Sequence, residues 1–361
     1  MRRAFLAVLI ALIGAGSFAA ATSQAPGVNA AALSASRPAA LLSEYRLFLD
    51  DAAREPNAGV TPYALATQLY SDGALKFRYV YVPPGAQARY TDEGVFEFPV
   101  GTVLVKTFAF AADMRRPGEN VRYIETRLLI RHNDGWIARP YVWNADQTEA
   151  RYAPVSAPIP VAFIDTQGVQ QALDWRVPNQ NQCKGCHDRD GAVTPIGPRA
   201  RNLNNAFPYA GGTENQIAHW SALGLLVGAP APDDAPRAPA AFDPASGSLA
   251  DRARTYLDVN CAHCHNPHGP ARTSGLDLRA ENENPAAWGV RKRPVAAGRA
   301  SGGFQFAIDP GRAETSILVH RMDSLDPGVM MPELGRQTRD AEGLALVRAW
   351  IARMDGEGRT H

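Results

Sequence analysis

The chain has 361 residues, and its 37 Lys and Arg side chains nearly balance its 36 Asp and Glu side chains. Hydrophobic residues make up 45% of it, so a chain of this length predicts two or three domains with cores of their own. The balanced charge lacks the concentrated positive field that nucleic-acid binding requires. We therefore predict no nucleic-acid partner.

The first residues have the pattern of a secretory signal. Arg2 and Arg3 precede an apolar run from Ala4 to Gly14, and small residues follow, which predicts a signal peptide over residues 1–21 and a periplasmic protein. An uncleaved membrane anchor is the alternative. No later apolar run is long enough to span a bilayer, so the mature chain should have no transmembrane segment. Residues 22–40, rich in Ala and Ser, are predicted to be a flexible leader.

Residues 41–178 are predicted to form a β-rich domain, with a short helix over Leu41–Asp51 at its start. Residues 77–81 alternate aromatic and β-branched or basic side chains, which is typical of a strand. The runs 123–132 and 136–143 are joined by Asn133-Asp134-Gly135, whose residues tolerate positive φ and predict a hairpin. Short strands separated by turns indicate an antiparallel, sandwich-like sheet.

The rest of the chain divides at a proline-rich stretch. Residues 179–227 form a first segment, and residues 228–247 form a Pro/Ala-rich linker that cannot be a regular helix. Residues 248–361 are predicted to be helical. Ser248 and Asp251 resemble a capping box, and a closing amphipathic helix capped by Thr338 or Asp340 carries an apolar stripe. That stripe comprises Leu344, Val347, Trp350, Ile351 and Met354.

All four cysteines fall in two C-x-x-C-H motifs, one from Cys183 through Cys186 to His187 and one from Cys261 through Cys264 to His265. In this motif two thiols one helical turn apart add to the vinyl groups of a haem, and the adjacent histidine ligates the iron. Two covalently bound haem c groups are therefore predicted. Zinc or disulfides are the alternatives, but paired zinc motifs usually lie closer together in sequence.

The second motif lies in a pattern that resembles class I cytochrome c. A helix precedes Cys261, Met331-Pro332 follows the motif, and the closing helix comes last. The resemblance covers about residues 247–356 and implies His265 and Met331 as axial ligands of the second haem. Proline also favours an extended backbone at the residue before it, which would fix the loop that presents Met331. Met330 is the competing ligand.

The first motif has no comparable methionine, since none occurs between residues 115 and 321. His219 is the one histidine between the two motifs, and we predict it as the distal ligand of a bis-histidine haem of lower potential. His132 or a water molecule are the alternatives. An open site would suit peroxide chemistry instead of simple electron transfer.

Taken whole, the chain resembles a family of proteobacterial dihaem c-type cytochromes with an N-terminal β-rich domain. The resemblance is carried by residues 98–108 (FPVGTVLVKTF), 141–144 (YVWN) and 274–278 (SGLDL). It implies a periplasmic protein that transfers electrons between a donor and an acceptor protein. The predicted fold class is accordingly α+β, with an antiparallel β-rich domain followed by α-helical cytochrome c-type haem domains.

Two other functions stay open at this stage. One is a dihaem, peroxidase-like enzyme with an open first haem, and the other is a binding module whose β-rich domain docks a partner. The acidic residues are scattered, and no pair of them stands out as a general acid and base. Whether the protein is an enzyme is therefore left undecided, with electron transfer favoured.

Overall fold

The computed structural model describes residues 27–295 and 297–359. The predicted signal peptide and the first residues of the predicted leader lie outside these residues. The helices are α1 Ala30–Ser34, α2 Gln180–His187, α3 Ala200–Leu203, α4 Gln216–Ala222, α5 Leu249–Asn260, α6 Pro285–Trp288, α7 Ile317–Asp323 and α8 Ala341–Ala352. The strands are β1 Val60–Tyr63, β2 Leu75–Tyr81, β3 Ala88–Arg89, β4 Val103–Ala111, β5 Val121–His132, β6 Gly135–Trp143, β7 Ala150–Tyr152, β8 Ile159–Ile164, β9 Gln170–Trp175, β10 Asp188–Arg189, β11 Ala192–Val193, β12 Ala206–Tyr209, β13 Gly212–Asn215 and β14 Leu226–Val227.

A six-stranded sheet is built from strands in the first half of the described chain. Its order is β1-β2-β4-β5-β6-β7, and every neighbouring pair is antiparallel. Strands β5 and β6 form the hairpin predicted from Asn133-Asp134-Gly135, with His132 paired to Gly135 across the turn. Turn chemistry is local, which explains why the sequence alone could predict this hairpin.

The sheet buries both of its faces. One face, which includes Tyr79 and Val105, packs against Leu33, Tyr45 and Leu47 from the preceding segment. The opposite face carries a second cluster that includes Trp220 of α4 and Leu203 of α3. Side chains alternate between faces along a strand, so the strand residues on the same face as this second cluster are directed toward the structure formed by residues later in the sequence. That face becomes one wall of the site described below.

The segment before the sheet differs from its predictions. The described part of the predicted flexible leader, residues 27–40, contains α1 and buries Leu33 against the sheet. The helix predicted over Leu41–Asp51 is wrong. Only Ser43–Tyr45 forms a single 3₁₀ turn, which ends where Arg46 takes a left-handed φ of 50°. That conformation allows both Tyr45 and Leu47 to be buried.

The predicted fold class is wrong. Helix accounts for only 23% of the structure, and a large antiparallel sheet dominates it, so this is not an architecture of helical cytochrome c domains. The physical reason is that turns interrupt the chain after both motifs. Helix α2 leads directly into the β10–β11 hairpin, and α6 has only four residues. Gly275 and Gly289 end short helical turns in the left-handed conformation, which glycine adopts without steric cost.

Two longer helices do form in the C-terminal part. Helix α5 is capped by Ser248, whose hydroxyl accepts a hydrogen bond from the amide of Asp251, as the capping pattern predicted. Helix α8 is capped by Asp340, and its predicted apolar stripe is buried in one cluster with Tyr256 and Leu257 of α5. The predicted linker is also packed. Its alanines at 235, 238 and 241 are buried, and Asn204 donates to the carbonyl oxygens of Pro232 and Ala235.

No helix within residues 27–295 and 297–359 has the length and apolar character needed to cross a membrane.

Candidate functional site

The two C-x-x-C-H motifs lie in different local structures. The first is part of α2, which begins with a capping box in which Asn179 and Gln182 exchange side-chain to backbone hydrogen bonds. The second follows α5 as a tight turn. There the amides of Cys264 and His265 both donate to the carbonyl oxygen of Cys261, at 3.1 and 2.9 Å. In each case backbone hydrogen bonds fix the spacing between the thiols and the histidine.

A single cavity brings the motifs together. It has a volume of about 1370 Å³, above the roughly 300–1,000 Å³ of a usual small-molecule pocket. Its wall includes strands of the large sheet, α2, the end of α5 and the segment before α8. Seven predicted site residues line it, namely Cys183, Cys186, His187, Cys261, Cys264, His265 and Met331. Met330, the competing ligand, lines it too.

The thiols of the two motifs approach each other. The interaction between the Cys186 and Cys264 thiols lowers the pKa of Cys186 and raises the pKa of Cys264, and His263, in the middle of the second motif, also lowers the pKa of Cys186. The segments that follow the two motifs are joined directly, because the Asp190 amide donates to the carbonyl oxygen of His268 at 3.0 Å. None of the four cysteines is in a disulfide, and the described residues contain no group of three or more Cys, His, Asp or Glu arranged to hold a metal ion.

The histidine of the first motif is oriented by Thr194. Its Nδ1 lies 2.8 Å from the Thr194 carbonyl oxygen, which can only accept, so Nδ1 carries the proton. Burial lowers the pKa of His187 to about 4, so the ring is neutral and its Nε2 has a free lone pair. A neutral imidazole with its other nitrogen hydrogen-bonded is the usual form of a metal-ligating histidine.

The histidine of the second motif is oriented in the same way by Ser274. The Ser274 hydroxyl donates to the Ala271 carbonyl oxygen at 2.7 Å, so it accepts from His265 Nδ1 at 3.0 Å. Burial lowers the pKa of His265 to about 4, and Nε2 again has a free lone pair. Sequence reasoning assigned no role to Thr194 or Ser274. Their only sequence signal is a polar residue seven to nine positions after each histidine.

Met331 lies in a loop whose backbone carbonyl oxygens accept hydrogen bonds from Arg336. The Met331 amide donates to the Arg321 carbonyl oxygen at 2.9 Å. The Arg336 guanidinium is buried and lies 2.9 Å from the Met331 carbonyl oxygen and 2.8 Å from that of Ser324. The backbone of Met331 is thus fixed on both sides while its side chain lines the cavity. Arg336 is a further residue that the sequence analysis missed, because five positions separate it from the methionine.

His219 is not brought together with the other predicted site residues. It lies in α4, its ring stacks on Tyr209 with 3.5 Å between ring centroids, and its Nδ1 is 3.0 Å from the Glu214 carboxylate. It does not line the cavity, and neither does His132, the second histidine considered. The neighbouring Trp220, which is fully buried, fixes α4 against the sheet and so directs His219 elsewhere.

The described residues fit a covalently attached haem at each motif. Each motif combines two thiols with a neutral histidine whose Nε2 is free, both motifs line the one large cavity, and the Met331 thioether lines it as a possible further ligand. Comparisons with protein-family models, with curated proteins and with solved structures give no match to this chain. The functional assignment therefore depends on the site itself.

Proposed function

We propose that this protein is a periplasmic dihaem c-type cytochrome that carries electrons between redox partner proteins. One observation carries the proposal: both C-x-x-C-H motifs and Met331 line the same cavity, and the segments that follow the motifs are joined by the hydrogen bond from the Asp190 amide to the His268 carbonyl oxygen. Haem iron supplies one-electron chemistry by cycling between its ferrous and ferric states. Export to the periplasm is proposed from the charged and apolar pattern of residues 1–21.

The residues have separate tasks in this proposal. Cys183 and Cys186 would hold one haem, and Cys261 and Cys264 the other. His187 and His265 would bind the iron through Nε2, while Thr194 and Ser274 keep the proton on Nδ1. The Met331 thioether would be a further ligand of the second haem and would raise its potential relative to a bis-histidine site. Because the motifs touch, electrons would pass between the two groups inside one protein.

The direct test is the intact mass of the mature protein, purified from a strain with working haem attachment. The expected mass exceeds the signal-cleaved polypeptide by two haem groups. A Cys186→Ala, Cys183→Ala double variant should lose one group and keep the other. A wild-type mass equal to the bare polypeptide would contradict the proposal.

A peroxidase-like enzyme is the second candidate, and the position of His219 favours it. Because His219 stacks on Tyr209 outside the cavity, a haem held at the first motif would lack the distal ligand that the sequence suggested. An open site would give a high-spin haem that binds carbon monoxide and reacts with peroxide. Spectra of the reduced protein with and without carbon monoxide separate the candidates. A spectrum unchanged by carbon monoxide supports pure electron transfer, whereas a shifted one supports the peroxidase-like enzyme.

A further inference from the structure

Three basic side chains lie directly opposite one another on neighbouring strands. Arg78 of β2 pairs in register with Lys106 of β4, and Lys106 pairs with Arg127 of β5. All three residues line the cavity that holds the motifs. Like charges placed directly opposite each other in a sheet destabilise it. The positive charge of this row, which comprises Arg78, Lys106 and Arg127, therefore requires anionic groups nearby to offset the repulsion.

Among the residues that the structure describes, only one of the three cations has a carboxylate partner. Arg127 makes two hydrogen bonds to Glu125, at 2.6 and 2.8 Å, and the fully buried Glu125 also accepts from the Trp175 indole. Arg78 makes only long hydrogen bonds, of 3.4 to 3.5 Å, to an amide and a carbonyl oxygen. The Lys106 ammonium lies 4.7 Å above the Phe108 ring and makes no ion pair with a described residue, and the charge of Glu125 acts on it only at longer range.

The two uncompensated cations are also removed from bulk water. Burial, and then the charges of the neighbouring basic residues, lower the pKa of Lys106 well below its ordinary value. Burial lowers the pKa of Arg78 to about 10. A desolvated cation without a counterion is costly, and an anion entering the cavity would remove that cost. The row thus has the charge and position of an anion site.

The row lies beside the first motif. The Arg127 guanidinium acts electrostatically on both Cys183 and Cys186, and Lys106 acts on His187. Phe108 and Trp175, whose ring centroids are 5.1 Å apart, provide an aromatic surface in the same wall. From Arg127, which lies next to the thiols, the row runs across two further strands to Lys106 and Arg78. The propionates of a haem are on the edge of the ring opposite the thioether bonds, so a haem attached to this motif and lying against the sheet would direct them along the row, away from the cysteines.

We propose that Arg78 and Lys106 form a carboxylate-binding site for the propionate groups of the haem attached at Cys183 and Cys186. The inference rests on the proposed function and specifies which strands of the sheet, β2 and β4, would bind the cofactor. Two uncompensated cations match two propionates, and an arginine binds a carboxylate with two parallel hydrogen bonds. The large sheet thereby becomes part of the cofactor site.

The test compares Lys106→Met with Lys184→Met. Lys184 lies within the first motif, but its side chain is exposed and does not line the cavity. Lys106→Met should keep both haems by intact mass, shift the propionate bending band in the resonance Raman spectrum, and lower the midpoint potential of one haem, since a nearby positive charge disfavours the ferric state. Lys184→Met and the charge-preserving Lys106→Arg should resemble the wild type. Wild-type spectra and potentials in Lys106→Met would overturn the inference.

A second arm identifies the source of the carboxylate. Succinate added to the haem-bearing wild type should produce no change, because the propionates already occupy the site. A change that Lys106→Met abolishes would assign the site to a free carboxylate and overturn the propionate assignment. If the wild type carries no haem, the proposed function fails by itself. Calorimetric binding of succinate, lost in Lys106→Met, would then still support a carboxylate site, and the absence of binding would overturn it as well.

Discussion

Replacing Arg336 with methionine should remove the hydrogen bonds that stabilise the loop containing Met331. The side chain is only 6% exposed. Its Nη2, which carries two hydrogens, donates to the carbonyl oxygens of Ser324 and Met331 at 2.8 and 2.9 Å, and its Nη1 donates to that of Thr338 at 3.1 Å. Methionine preserves most of the apolar stem but donates nothing. Each buried carbonyl that loses its donor costs about 1 kcal/mol, and more where the donor was charged. We therefore expect the free energy of unfolding to fall by about 3 kcal/mol.

The assay is denaturant unfolding of the haem-bearing protein, followed at the weak sulfur-to-iron band near the red end of the spectrum. Arg339→Met is the matched control, because Arg339 is 52% exposed and pairs with Asp323 at the surface. Such pairs contribute at most about 1 kcal/mol. Arg336→Met should also weaken the band before unfolding begins. The reasoning is refuted if both variants lose the same stability and both keep the band.

The other predictions concern a ligand, a buried ion pair and a buried lysine. Met331→Ala should abolish the sulfur-to-iron band and lower one midpoint potential, whereas Met330→Ala should change neither. Glu125→Gln preserves shape but leaves Arg127 without its counterion, so the free energy of unfolding should fall by about 2 kcal/mol, less than for a fully buried pair because Arg127 is 31% exposed. Burial lowers the pKa of Lys76 to about 7. Above that pH the unfolded chain holds more protons at Lys76, so stability should rise from pH 7 to pH 9, and Lys76→Met should remove part of this rise.

Each of these predictions has its own control and its own contrary result. Loss of the band in Met330→Ala alone would move the ligand by one residue. For the ion pair, Glu119→Gln removes a surface partner of Arg116 that is 60% exposed, and an equal loss in both glutamate variants would count against the buried pair. For the pH effect, Lys184→Met should keep the wild-type rise. A Lys76→Met protein with an undiminished rise would show that other groups cause it.

Local features of the fold could be predicted from the sequence, and features set by distant packing could not. The Asn133-Asp134-Gly135 turn and the Ser248 cap depend on neighbouring residues, so their patterns were sufficient. The helix expected over Leu41–Asp51 failed because burial of Tyr45 and Leu47 outweighed local preference. The helical haem domains failed because hairpins and short turns follow each motif.

The candidate site divides in the same way. The cysteines and histidines were predictable, because attachment chemistry requires them at fixed spacing. Thr194 and Arg336 were not predictable. The backbone carbonyl of Thr194 accepts from a ring nitrogen of His187, and the Arg336 guanidinium donates to the backbone carbonyl of Met331; neither contact requires a recognisable sequence motif. Proximity in sequence favoured His219, but its stacking on Tyr209 directs it away from the cavity. The opposition of Arg78 and Lys106 depends on strand register, which becomes visible only once the sheet is known.

Asp72, beside the first strands, accepts hydrogen bonds from the amides of Gln337 and Thr338 at 2.7 and 2.8 Å. These partners are separated by more than 260 residues, so this side of the cavity can close only after nearly the whole chain is available to fold. In the export that we propose, the sheet and both thiol pairs would emerge while the wall built from the later residues is still missing. Attachment enzymes would then meet an accessible groove instead of a closed chamber. The same late contact would place Met331 last, so the order of emergence sets the order of assembly.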